Sequence, residues 1–348
     1  MAVWPPGRSA ACGTQPTGRA LPAAAIARHA VSTQDYVFVT NLLGEGETNS
    51  EIAYWRAGST GNVPPAGAIY GSATGLDGPA GIVVNPAGEI LVANSQTNAI
   101  LGFAPGSNGN VAPNVVVSGR ETRIDHPTGL AEDDAGNLFV SNCAHGCGTR
   151  GAPSIAEFAA NANGNVAPIR VIQGRRTTLV KPHSLAVSRS GEIYVVDIGP
   201  PSKLAPHVEV FGADASGDHA PARVIEGGKT KLYHTGGGIA LDPHGFFIGN
   251  WSSRFIERFA FLANGDARPR SFIRGSRTQL ECCLDGLALS ATDSLYAVVR
   301  ASAYGSGPYP EVVQFGNRAH GNAPPVTNIT GSNTGLHIPL SIFVGAQP

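Results

Sequence analysis

Six segments of this chain lie on one ruler. An aromatic residue is followed by Gly, Pro, Gly and then Leu or Ile at offsets of six, ten, sixteen and twenty-one residues. Trp55 leads Gly61, Pro65, Gly71 and Leu76; Phe103 leads Gly109, Pro113, Gly119 and Ile124; Phe158 leads Gly164, Pro168, Gly174 and Leu179. Phe211, Phe259 and Phe315 start the other three copies, which end at Leu232, Leu280 and Leu336. Self-similarity at a period of roughly 50 residues is the mark of a repeat architecture and constrains the fold more tightly than any single motif.

The segment Ser154 to Asp197 shows what one repeat contains. Ser184 to Val187, Ile193 to Val196, Ile155 to Phe158 and Ile169 to Ile172 are short apolar runs, separated by Arg189-Ser190-Gly191 and by Ala162-Asn163-Gly164-Asn165. β-Branched runs bounded by Gly and Asn read as antiparallel strands joined by tight turns. Four strands per repeat and no segment of helical length predict an all-β fold, a six-bladed β-propeller. The termini predict how the ring closes. The last copy stops at Ile338 to Val344, the counterpart of Lys181 to Val187, and its missing partner strand stands at the other end as Tyr36 to Asn41. The closing blade would therefore take its inner strand from the C-terminus and three strands from the N-terminus, which leaves no open sheet edge.

With 45 Gly, 26 Pro and only 14% charged residues in 348, the chain has the turn density such a fold needs. A formal net charge of −1 without a basic block argues against a nucleic-acid surface, and no apolar run approaches a membrane span. Residues 35 to 348 are read as one propeller, expected to be a monomer. Residues 1 to 34, rich in Ala, Gly, Pro and Arg, are read as a disordered leader or tether. Ser9-Ala-Ala-Cys12-Gly-Thr-Gln-Pro has the look of a bacterial lipoprotein signal's end, making Cys12 a lipidation candidate and leaving room for a start upstream of Met1. Four long connections, at Leu42 to Ser50, Cys143 to Pro153, Ile198 to Pro206 and Ala301 to Pro310, would gather on the face where the inner strands begin. Loops that vary on a rigid scaffold are where function usually resides.

The run Gly-Asn-Val-Ala-Pro at 109 to 113 and 164 to 168, followed by Gly, Leu-x-x-Pro and a Gly-x-Ile-Tyr-Val strand, resembles the NHL-repeat propellers, in particular bacterial GNVAP-type repeats. The resemblance covers residues 35 to 348 and implies fold rather than activity, because such propellers serve as adhesins, sensors, scaffolds and enzymes. Pro182-His183-Ser-Leu-Ala-Val is also similar to the inner-strand segments of the virginiamycin B lyase-type propellers. That second resemblance implies histidines at such positions working with a divalent cation in ring opening by elimination.

Residues that recur from copy to copy carry little functional information. Asn41, Asn94, Asn142, Asp197 and Asn250 hold one position of successive second strands and are read as turn caps. Exceptions matter more. The inner strands are expected to begin Pro79-Ala-Gly, Pro127-Thr-Gly, Pro182-His-Ser, Thr235-Gly-Gly, Cys283-Leu-Asp and Pro339-Leu-Ser. His183 and Asp285 break this ring of small residues, with His126 and His234 beside it. A histidine and a carboxylate at a channel mouth could act as general base and orienting partner, so these four are the catalytic candidates; His183 lining a wet channel and bonding a backbone carbonyl is the other reading. His145, Tyr304, Tyr309 and Arg300 are the binding candidates of the loop face, the tyrosines offering a broad apolar face with one polar tip.

Cys143-x-His145-x-Cys147 and Cys282-Cys283 leave three states open. Local disulfides, Cys143 with Cys147 and Cys282 with Cys283, suit an exported protein; free thiols and a zinc site are the alternatives. The expectation is an exported propeller, in a bacterial periplasm or at the cell surface, that binds a small molecule or protein partner on its loop-rich face without a resident cofactor. The alternative is a lyase or lactone hydrolase that uses the channel-mouth histidines with a divalent cation.

Overall fold

A computed structural model describes residues 35–42, 50–142, 151–199, 206–233, 236–251, 253–280, 283–300 and 309–346. They form six four-stranded antiparallel sheets arranged as the blades of a propeller. Numbered by their inner strands, blade one runs outward through Pro79–Val84, Ile90–Asn94, Ala99–Phe103 and Val115–Ser118. The inner strands of blades two to five are Pro127–Glu132, Pro182–Val187, Ile239–Asp242 and Leu284–Leu289. In blade six the C-terminal strand Ile338–Gly345 is innermost, and Tyr36–Leu42, Ser50–Arg56 and Gly67–Tyr70 follow outward. The ring closes as the termini predict, with Tyr36 opposite Gly345 and Val37 opposite Val344.

The repeat as it reads in sequence straddles two sheets. Ser154–Phe158 and Arg170–Ile172 are the outer strands of blade two, whereas Pro182–Val187 and Ile193–Asp197 are the inner strands of blade three. Each copy therefore spans an interface, and the ruler is the geometry of that interface. The six leading aromatics are at most 1% exposed. They sit in six apolar clusters, each built from two neighbouring blades. The cluster holding Trp55 joins blades five and six, and that holding Phe158 joins blades one and two. Burying one such side chain is worth about 1.5–3 kcal/mol, so each blade is held by its neighbours rather than by a core of its own.

The polar marks of the ruler bind blade to blade. The glycine six residues after each aromatic bridges to the outer strand of the preceding blade, from Ile69 with Gly109 through to Ile329 with Gly61 across the closure. The Asn or Asp next to it accepts a backbone N–H from that blade: Asn165 Oδ1 from Glu121 at 2.9 Å, and Asn62 Oδ1 from Asn333 at 2.7 Å. A threonine three residues after the second glycine is buried in all six copies; Thr177 donates to the Gly174 carbonyl at 2.7 Å and accepts from the Leu179 amide at 3.3 Å. Gly174 has φ 144°, and a Cβ there would stand 2.3 Å from Asp218 Oδ1, which explains why this mark is always glycine.

Asn142 lies opposite Pro127 and Asp197 opposite Pro182, so second strands end where inner strands begin. The flanks of all four long connections therefore open on one face. Most of each connection lies outside the described residues, as do the leader at 1–34 and Cys12. Among the described residues no helix is long and apolar enough to cross a membrane.

Candidate functional site

Strand pairing fixes which side chains ring the channel mouth, and it corrects two expected positions. In blade three Pro182 pairs with Asp197 and Ser184 with Val196, leaving His183 as an extra residue. In blade five Leu284 pairs with Val299 and Gly286 with Val298, so Asp285, not Leu284, is the counterpart of His183. In blade four Ile239 pairs with Ile248, so Gly237 is the counterpart by register, while Gly236 and Gly238 are the glycines that line the cavity. Around the mouth stand Ala80, Thr128, His183, Gly236, Asp285 and Leu340. A bulge at this point turns the extra side chain out of the pleat, a device common beside binding sites.

A cavity of about 1910 Å³ follows the channel from this ring to the opposite turns, where Asn85, Asp133 and Arg189 line it. Its mouth is lopsided. Blades three to five contribute Lys181, His183, Trp251, Asp285 and Arg300 to the lining, while the other side offers Leu340, Ala80 and Thr128. Asp285 is 8% exposed, and Arg300 grips it with both arms, Nε to Oδ2 at 2.9 Å and Nη2 to Oδ1 at 3.0 Å. The Trp251 side chain gives the same carboxylate a further hydrogen bond. Burial pushes Asp285 up, to about 7, against the pull of Arg300 and Trp251. The bidentate guanidinium is built for the carboxylate form. Arg300 spends one side of its fork on Asp285, and among the described residues nothing accepts from its second Nη.

Trp251 and Arg300 reach the mouth from equivalent places, directly after the strands Gly245–Asn250 and Leu295–Val299. Arg300 was a candidate from sequence, but as part of the loop rather than as the partner of Asp285. Trp251 and Lys181 were missed. Aligning the residue after each second-strand end (Leu42, Ser95, Cys143, Ile198, Trp251 and Arg300) would have exposed Trp251 beside Arg300 as the two large polar-tipped side chains.

The histidines do not converge. His183 lines the cavity, but His126 does not. Residue 126 sits at φ 46°, with its amide on Asn98 Oδ1 at 2.7 Å and its Nδ1 2.8 Å from Asp125 Oδ1. This left-handed turn sends the ring to Asp125 instead of the mouth. Tyr309 is 57% exposed and lies apart from the cavity lining. His234, His145 and Tyr304 lie outside the described residues. Cys283 is buried and disulfide-bonded. Its partner is among Cys12, Cys143, Cys147 and Cys282, all outside the described residues, so the pairings expected from sequence stay expectations.

Two buried carboxyls and a half-buried one make stability depend on pH. Burial holds Glu257 up at about 9, and burial with Asp133 and Glu89 holds Glu132 up at about 7. Between its unfolded value near 4.5 and about 9, the folded chain keeps the Glu257 proton that the unfolded chain has lost. Stability therefore falls as pH rises through that window, with Asp285 and Glu132 acting up to about 7. Thermal melts are expected to show a lower Tm at about pH 9 than at about pH 6, and Glu257→Gln should flatten the alkaline part of the slope. A Tm that rises over this range would contradict the assignment.

No protein-family profile and no curated protein matches the chain. Solved structures do. It is similar to a chain in the nidogen/laminin complex (11% identity, TM-score 0.59, covering 90% of this chain and 100% of that one). It is similar to a protein of unknown function from Bacteroides caccae (12%, 0.60, 90% and 99%). It is also similar to the periplasmic gluconolactonase PpgL of Pseudomonas aeruginosa (14%, 0.54, 90% and 100%). At such identities the likeness shows the fold alone, and the class it defines is the six-bladed β-propeller.

Proposed function

We propose that this chain is an extracytoplasmic ligand-binding propeller of the NHL type, and that the mouth wall of blades three to five is its recognition site. The ligand class is a small molecule with an acidic group and a flat apolar face. One observation carries the reading: among the described residues, every ionisable side chain of the mouth stands in one sector, while Leu340, Ala80 and Thr128 hold the rest. Lys181 and the outer Nη of Arg300 supply positive charge, Trp251 supplies a stacking face, and Asp285 holds Arg300 in place. The bonded Cys283 supports an oxidising compartment, in keeping with a bacterial periplasm or cell surface.

Catalysis is the competing reading. Asp285 at about 7 shares the ring with His183, and a perturbed carboxyl in a cleft is a functional candidate. A panel of sugar acids and lactones, with and without divalent cations, separates the two readings when binding is followed by calorimetry and turnover by product analysis. The binding reading predicts uptake of acids without turnover, and less than about a tenfold change in Kd for His183→Ala. A lactone consumed by the wild type and spared by His183→Ala would replace it with lyase or lactonase chemistry, since loss of a general base costs about 10²–10⁴ in rate.

A further inference from the structure

Blade three departs from its neighbours at one buried position beneath the mouth. Where a carboxylate faces this part of a blade elsewhere, an amide meets it. Asn41 Nδ2 donates to Glu51 at 2.8 Å in blade six, Asn250 Nδ2 to Glu257 at 2.8 Å in blade four, and Asn328 Nδ2 to Glu311 at 2.9 Å in blade five. In blade three the cap is Asp197 instead of asparagine, and it faces Glu209 and His207. Asp197 pairs across the strands with His207, and Glu209 lies two residues further along, so all three side chains share one face of the sheet. One ligand atom from each lies within 4.8 Å of the others.

The surroundings hold these groups in place. Asp197 and Glu209 are both 0% exposed. Asp197 accepts the amides of Val180 at 2.7 Å, Lys181 at 3.0 Å and Gly199 at 2.8 Å. Glu209 Oε1 accepts Thr178 Oγ1 and lies 3.4 Å from His207 Nε2. The other oxygen, Glu209 Oε2, is buried with no hydrogen-bond partner among the described residues. An orphaned carboxylate oxygen beside a second buried carboxylate is costly unless a proton or a cation joins them.

We propose that Asp197, His207 and Glu209 form a site for one divalent transition-metal ion of the zinc type. Two carboxylate oxygens and one imidazole nitrogen are a donor set that zinc takes readily, whereas calcium and magnesium favour all-oxygen sites. The imidazole binds as the neutral form through Nε2, and Glu209 Oε2 gains the partner it lacks. The ion is structural: Lys181 and Gly199, whose amides Asp197 holds, line the channel mouth. Metal here would stiffen the wall on which ligand recognition depends.

The test uses the full chain, stripped with chelator and titrated with zinc chloride alone. Two variants separate this site from the cysteines. Asp197→Asn restores the amide found in other blades and keeps an oxygen for the backbone N–H groups, and His207→Ala removes the imidazole. The wild type is expected to take up one zinc that both variants lose by about 100-fold or more. Saturating zinc should also raise its Tm by at least about 3 °C, a shift absent in the variants. If Asp197→Asn does not fold, His207→Ala decides alone. Unchanged zinc binding in the variants, no uptake by the wild type, or preference for magnesium or calcium would each overturn the proposal.

Discussion

Deleting residues 338–348 is expected to leave no cooperatively folded protein. The strand Ile338–Gly345 is the inner strand of blade six and the partner of Tyr36–Leu42, so its loss opens the ring at the one place where the chain closes on itself. Ile342 and Val344 pack in the cluster between blades five and six, and Phe343 packs against the clusters on either side of blade one. At about 1.5–3 kcal/mol for each large apolar side chain, these three residues alone represent several kcal/mol. That is comparable to the roughly 5–15 kcal/mol by which a domain is stable at all. Circular dichroism melts check it: a truncated chain that unfolds cooperatively within about 5 °C of the wild type would contradict the closure.

Gly238→Ala should be nearly as damaging, by a different mechanism. Around the channel the inner strands approach backbone to backbone, and a Cβ on Gly238 would stand 2.2 Å from the Leu287 amide nitrogen and 2.8 Å from the Gly286 carbonyl carbon. Backbone on the facing strand cannot swing aside as a side-chain tip can. The ring has to widen or the strand has to shift, at a cost of about 3 kcal/mol or more. Gly228 is the control: a Cβ there meets nothing within 4 Å and its φ is ordinary, so Gly228→Ala should be neutral or stabilising by up to about 1 kcal/mol. Urea titrations of the two variants give the comparison. Equal stabilities would mean that backbone contact does not set the channel width.

The architecture was legible in the sequence because each mark of the ruler serves an interface that recurs six times. An aromatic residue buried between blades, a glycine under a neighbour's Asn or Asp and a threonine closing a turn recur wherever two blades meet. The mouth was harder to read. Proline marks the start of the inner strands at Pro79, Pro127, Pro182 and Pro339, but blades four and five lack it. Without that anchor a run of glycines and a run of cysteines could be placed one residue early. In a strand, one residue moves every side chain to the other face. That slip put Asp285 a step from its true place and hid its pairing with Arg300 across the bulge. Trp251 stands out only when the residues after the second strands are aligned, since no other copy carries a tryptophan there. In the sequence Asp197 reads as one more cap. Its difference from asparagine gains meaning only when Glu209 and His207 are found across the strand.

The proposed site lies on the charged wall of an asymmetric mouth, and one binding comparison tests it most directly. The acid bound best by the wild type should be titrated against Arg300→Ala and against Thr128→Val, a substitution on the opposite side of the same ring. Loss of a charge-assisted contact is worth about 1.5–3 kcal/mol, so Kd should rise by about 10- to 150-fold in Arg300→Ala and by less than about twofold in Thr128→Val. Equal effects in the two variants, or undiminished binding to Arg300→Ala, would contradict the placement of the site on blades three to five.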